Sequence, residues 1–325
     1  MSCPAERDSL FFFPGMGNVR ITRNIVGSLV KNPLDLTSFT CEASSLGEAY
    51  GVCQSLASSH YENFPVASRL IDPAVRSAVA VVYAFARVAD DFADEPGLAP
   101  AERLDRLSRW RARLAACASG NDRHPVFWAL SDVLHKHGVP LKPFDDLITA
   151  FEMDVRKNRF ADFDEVLTYC RHSANPVGEL VLRLHGQWDP QKGTWSDAIC
   201  TALQLTNFWQ DITVDSTKDR IYIPQDDIAR FGCTEKEVLS GPMTPGLKAL
   251  MKHQVDRTWG LFNEGRFLCG SLSGRLQKEI RLVWLGGTRI LEKIGAQDHD
   301  VWLKRPALSR LDWLLLIGRL MSWRD

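Results

Sequence analysis

Two stretches of this chain carry acidic and amide residues at helical spacing inside segments that are otherwise apolar. Gln204, Asn207, Asp211 and Asp215 fall at i, i+3, i+7 and i+11, so they share one helix face. Leu203, Leu205, Phe208, Trp209 and Ile212 occupy the other faces. Such a helix belongs in a protein interior, and its polar stripe needs partners there. The second stretch runs from Tyr83 to Glu95, where Tyr83, Arg87, Asp90 and Asp94 share a face. Asp90 and Asp94 stand one turn apart, where like charges repel. Taken alone, this stretch also reads as a solvated acidic helix end. Two inward stripes facing each other around metal satisfy both sets of polar groups together. Sites with few carboxylates, completed by phosphate oxygens, are what magnesium prefers.

These residues carry a resemblance. Asp90-x-x-x-Asp94 and Asn207-x-x-x-Asp211-x-x-x-Asp215 resemble the two aspartate-rich motifs of the squalene/phytoene synthase family of all-helical isoprenoid synthases. The likeness extends through His60-Tyr61-Glu62-Asn63-Phe64-Pro65, Phe144-Asp145-Asp146-Leu147, Tyr169-Cys170-Arg171-His172-Ser173-Ala174-Asn175-Pro176-Val177-Gly178 and Arg220-Ile221-Tyr222-Ile223-Pro224, in family order. It covers roughly residues 47 to 310. Within the family, the strings are most similar to bacterial hydroxysqualene synthases of the hopanoid pathway.

The resemblance implies a single all-α domain over residues 45–325, its helices surrounding a central apolar cavity. Residues 1–44 are expected to form a flexible or loosely docked extension, because they lack a sustained helical period. The implied reaction is ionisation of presqualene diphosphate and capture of the carbocation by water, giving hydroxysqualene and diphosphate. Mg2+ would be held by Asp90, Asp94, Asn207, Asp211 and Asp215, and no NADPH is expected. Arg87, with Lys218 and Arg220, would meet the leaving diphosphate, and Tyr83 shares the face of the first motif. His60, Tyr61 and Asn63 would lie at the diphosphate end of the cavity. Phe64, Val177 and Phe208 would wall it, with Gly178 beside the Asn175-Pro176 kink. Tyr61, Asn63 or Gln204 would position the water.

The chain departs from the family pattern in two places. Tyr61 and Asn63 stand where small hydroxyl residues are usual, and Gln210 stands where most relatives carry a basic residue. Both departures fit a single diphosphate substrate better than two. The alternative within the family is head-to-head condensation of two prenyl diphosphates. An alternative of another class is a non-catalytic assembly-factor relative, although here every motif carboxylate is intact.

Composition bounds the remaining classes. At 325 residues, 45% hydrophobic, 24% charged and a net charge of −1, the chain has no global basic character to suit nucleic acid. Its eight cysteines form no CxxC pair, which points to small buried hydrophobes in a reducing, cytoplasmic setting. No apolar run approaches the ~18–20 residues of a membrane span. Leu311 to Trp323 is amphipathic and either docks on the bundle or lies on a membrane surface. Membrane contact would then be peripheral, beside neighbouring squalene-pathway enzymes.

Overall fold

The computed structural model describes residues 35–61, 71–94 and 97–324. The chain is 73% helical, with no strand among the described residues. Helix α1 spans Leu46–Tyr61, α2 Arg76–Asp94, α3 Pro100–Ala116, α4 Pro125–His137 and α5 Lys142–Arg156. These pack around one core, in which Phe85 makes edge-on contacts with Phe127 and Phe144 at 6.1 and 5.2 Å. Of the apolar positions at helical spacing on α3, Leu107, Trp110 and Leu114 are buried and Leu104 is half-buried. Left-handed Gly120 and Gly138 end the short 3-10 turn after α3 and the helix α4.

Helices α6, Phe163–Ser173, and α7, Asn175–Leu184, meet at Ala174, immediately before Asn175-Pro176. Proline lacks the N–H that a continuous helix would use, so the run breaks where the sequence predicts a kink. Helix α8 spans Pro190–Gln210. Asp189 caps it by accepting from the Lys192 amide at 2.8 Å, and Pro190 opens its first turn. Then come the short helices α9, Ile212–Ser216, α10, Gln225–Arg230, and α11, Glu235–Ser240. Two long helices, α12 (Pro245–Ser271) and α13 (Gly274–Ala296), complete a second core.

Close approach of α8 and α12 depends on Gly265, where an added Cβ would lie 2.4 Å from Ile199 Cγ1 and 2.9 Å from the Trp195 carbonyl oxygen. Gly178 likewise lets α7 settle on α8, since a Cβ there would sit 2.3 Å from Ser196 Oγ. Gly287 serves the same end, against Phe262 and Leu203.

Packing begins before the expected boundary at residue 45. Phe39 stacks on Phe92 at 5.3 Å, and buried Leu36 lends its carbonyl to His124 Nε2. Residues 1–34 lie outside the described residues. At the other end, α14, Arg310–Met321, turns one side inward: Leu316 is fully buried, and Trp313, Leu320 and Trp323 pack against Leu282 and Leu285. Asp312 clamps it, paired with Arg289 and Lys293 at 2.7 Å each. Its other side, with Leu311, Leu314 and Ile317, is exposed. Among the described residues no helix is long and apolar enough to cross a membrane, and all cysteines are free thiols.

Candidate active site

The first acidic stripe lies on the last turns of α2. Asp90 is buried, only 7% exposed, and Arg87 reaches it at 3.4 Å while pairing with Asp91 at 2.7 Å. Burial, then the neighbouring carboxylate of Asp94, pushes the Asp90 carboxyl up to about 7 despite Arg87. Burial works against the charge on Arg87, but Asp91, Asp90 and Tyr83 more than hold it in place.

The second stripe is interrupted. Asp211 departs from helical geometry, with φ −106° and ψ 12°, so α8 ends and α9 begins at this carboxylate. Its amide still donates to the Asn207 carbonyl at 2.9 Å. Asn207 Nδ2 donates to Asp211 Oδ2 at 2.9 Å, and Arg305 donates to Oδ1. Gln204 and Asp211 are buried, whereas Asn207 and Asp215 are half-buried. Gln210, beside Asp211, is fully buried and gives its side-chain amide to the Pro306 carbonyl at 2.6 Å.

Between the stripes stands Asp154, at the end of α5. It accepts from the Tyr169 hydroxyl at 3.0 Å to both oxygens, and it adds to the negative field at Asp90. Arg220 spans the same gap, donating to the Asp154 carbonyl at 3.3 Å and lying 3.9 Å from Asp94. Burial opposes its charge, but Tyr222, Asp154 and Asp94 raise its pKa further above the usual arginine value. The preceding loop aims it inward. Asp219 adopts left-handed φ of 53° and is held by Arg159, which also pairs with Glu235 at 2.9 Å. Lys218 occupies the same turn, its amide donating to the Asp215 carbonyl at 2.9 Å.

Behind the stripes lies a cavity of about 110 Å³, walled chiefly by α7, α8 and α13. Val177, Gly178 and Gln204 line it, as predicted residues brought together. Phe208 instead joins an aromatic stack, 3.7 Å from Tyr222 and 5.9 Å from Tyr169. His60 and Tyr61 close α1, and Asn63 and Phe64 lie outside the described residues.

The model of the squalene/phytoene synthase family matches residues 57–312. The chain belongs to that family. It is 35% identical over 265 residues to hydroxysqualene synthase of Rhodopseudomonas palustris, covering 80% of this chain and 88% of that one. It is 29% identical over 288 residues to the chloroplastic phytoene synthase 1 of Arabidopsis thaliana, covering 87% and 68%. Among solved structures, squalene synthase HpnC from Alicyclobacillus acidocaldarius is similar at TM-score 0.75 and 37% identity, covering 78% and 95%.

Members of the squalene/phytoene synthase family process prenyl diphosphates and generally use divalent metal ions. Among the described residues no three His, Cys, Asp or Glu side chains converge into a ready-made cage. The residues nonetheless fit a divalent cation. Burial first, then the carboxylates of Asp94, Asp91 and Asp154, push Asp90 toward its neutral form. A cation shared with an anionic ligand relieves that repulsion without an all-protein cage. Arg305, Asp154 and Tyr169 were not singled out from sequence. Tyr169 lies in a family string, and Asp154 reads equally as a solvent-facing residue. Arg305 has no local pattern.

Proposed function

We propose that the chain converts presqualene diphosphate to hydroxysqualene and diphosphate, with Mg2+ held by Asp90 and Asp94 on one side and Asn207, Asp211 and Asp215 on the other. The observation that carries this reading is a cavity that opens beside the second stripe and is apolar apart from a few polar groups, Gln204 among them. Such a wall shelters a carbocation yet leaves a place for water. The 35% identity to a hydroxysqualene synthase supports the same choice.

Bound Mg2+ would supply neutralising charge that makes diphosphate a competent leaving group. Arg87 and Arg220, with Lys218 nearby, stabilise the negative charge that grows on the bridging oxygen as the C–O bond breaks. Tyr83 supports Arg87. Tyr169 and Asp154 fix the inner end of Arg220. Val177 and Gly178 confine the hydrocarbon, and Gln204 orients the incoming water. His60, Tyr61, Asn63 and Phe64 complete the diphosphate end in this reading. The exposed apolar side of α14, with Leu311 and Leu314 at 77% and 67% exposure, gives the protein peripheral contact with the membrane that stores such substrates.

A second reading, head-to-head condensation of two prenyl diphosphates, is favoured by Arg305. It returns to Asp211 a positive charge that Gln210 does not provide. Purified protein given Mg2+ without NADPH separates the two. Hydroxysqualene from presqualene diphosphate, with nothing from farnesyl diphosphate, supports the first. Presqualene diphosphate or a hydrocarbon from farnesyl diphosphate overturns it in favour of condensation.

A further inference from the structure

Among the described residues the buried carboxylates have partners, with one exception. Asp227 pairs with Arg257 at 2.8 Å and accepts from Gln254 at 2.9 Å. Asp312 has Arg289 and Lys293, Asp211 has Arg305, and Asp90 has Arg87. Glu279, in the second turn of α13, is 7% exposed, and its Oε2 has no hydrogen-bond partner. Among the described residues it is the one charged side chain in the wall of the cavity that Gln204 lines. A carboxylate left alone in an apolar wall is costly, and a hydrophobic residue of similar size would hold α13 more firmly.

Gln204 reaches the same cavity from α8. It precedes Asn207 by one helical turn, about 4.5 Å along the axis. Gln204, the first residue of the second stripe, and Glu279 thus line one void. Its volume is several times the ~10–15 Å³ that one water requires, and Gln204, Ser196 and Glu279 offer that water polar partners.

We infer that Glu279 is the proton acceptor in water capture. This rests on the hydroxysqualene reading above. Diphosphate departs with the electron pair of its C–O bond. A lone pair of the cavity water forms the new C–O bond to the rearranged cation. The O–H bond of the resulting oxonium then breaks, and its proton passes to a Glu279 carboxylate oxygen, leaving the neutral alcohol. The proton returns to solvent when product leaves. No oxidant or reductant takes part.

Burial pushes the Glu279 carboxyl up to about 7, which makes it a stronger base than an exposed glutamate. Few groups complicate its titration. From α8 the cavity is faced by the Cys200 thiol, which burial pushes up to about 12. Asp197, on the same helix, is pushed up by burial to about 6 and lies outside the wall. The described walls from α7 and α12 contribute no titratable side chain, and α14 contributes no wall residue.

The test measures two products at once, inorganic diphosphate and hydroxysqualene, from presqualene diphosphate with Mg2+ at pH 6 to 8.5. Glu279→Gln is expected to release diphosphate within about threefold of the native rate, while the share recovered as hydroxysqualene falls roughly tenfold or more. Elimination hydrocarbons replace it, and Glu279→Asp restores part of the alcohol. In the native protein the alcohol share falls as pH drops below about 7, independently of the variants' folding, and Glu279→Gln shows no such slope. An unchanged alcohol share and pH slope in Glu279→Gln overturns the role of Glu279 and leaves the reaction standing. Absence of hydroxysqualene from the native protein overturns both.

Discussion

Arg220 stands 3.9 Å from Asp94, and this contact joins the loop after the second acidic stripe to the end of the first. The guanidinium is nearly buried, at 13% side-chain exposure, and its neighbours hold its charge firmly. A fixed cation between two carboxylate clusters suits an anion that arrives with metal, because it provides donors without reorganisation.

Arg220→Gln is expected to lower kcat/KM for the prenyl diphosphate about 100-fold with no change in helical content. Arg220→Lys recovers only part, since an ammonium lacks the planar fork. Steady-state diphosphate release on the three proteins checks this. Equal rates in native and Gln forms would remove Arg220 from the reaction.

Metal response should depend on pH through Asp90. Its folded pKa, about 7, lies above the ordinary 3.8, so the fold favours the protonated form. The metal-free protein therefore loses stability from this group as pH rises from about 4 to about 7. Magnesium needs the ionised carboxylate and expels that proton, so it binds about tenfold more tightly at pH 8 than at pH 6. Thermal melts with Mg2+ and inorganic diphosphate, against a chelator, should show a shift that grows over this range. Asp90→Asn should abolish it.

His124 gives the opposite slope. It is 1% exposed, lies edge-on to Trp110 at 5.3 Å, and is pushed down to about 4 by burial and then by Arg113. Its folded pKa is below the ordinary 6.5, so stability is fully present above that value and is lost as pH falls toward 4. The loss is about 3 kcal/mol at most. Urea midpoints at pH 7.5, 6 and 5 should fall in the native protein and flatten in His124→Gln. The same slope in both would exclude this residue as the cause.

The exposed side of α14 should bind lipid without holding the fold. Leu311→Asp/Leu314→Asp changes two exposed residues and leaves buried Leu316 in place. In liposome flotation the double variant is expected to lose most of its bound fraction while keeping its melting temperature. Equal flotation of both proteins would remove α14 from membrane contact.

Much of this architecture is legible in the chain because its signals are local. The face of α3 containing Leu107, Trp110 and Leu114 can be seen at helical spacing, as can the break at Asn175-Pro176. The acidic stripes are visible for the same reason, though the interruption at Asp211 is not. That interruption goes with side-chain bonds, one of them from Arg305, which lies 94 residues away. Glu279 is equally silent in sequence, since its significance is the absence of partners among neighbours on other helices. Arg159 pins Asp219, 60 residues away, and so directs Arg220.

The tie between the second stripe and the chain's far end bears on synthesis. Gln210 is seated on the Pro306 carbonyl and Asp211 on Arg305, so this half of the site is unfinished until translation has passed residue 306. A growing polypeptide carries the first acidic stripe long before it can assemble the second. A nascent chain that stops short of residue 306 lacks both of these contacts. The two stripes are therefore completed at different times, the second only after the first has long been made.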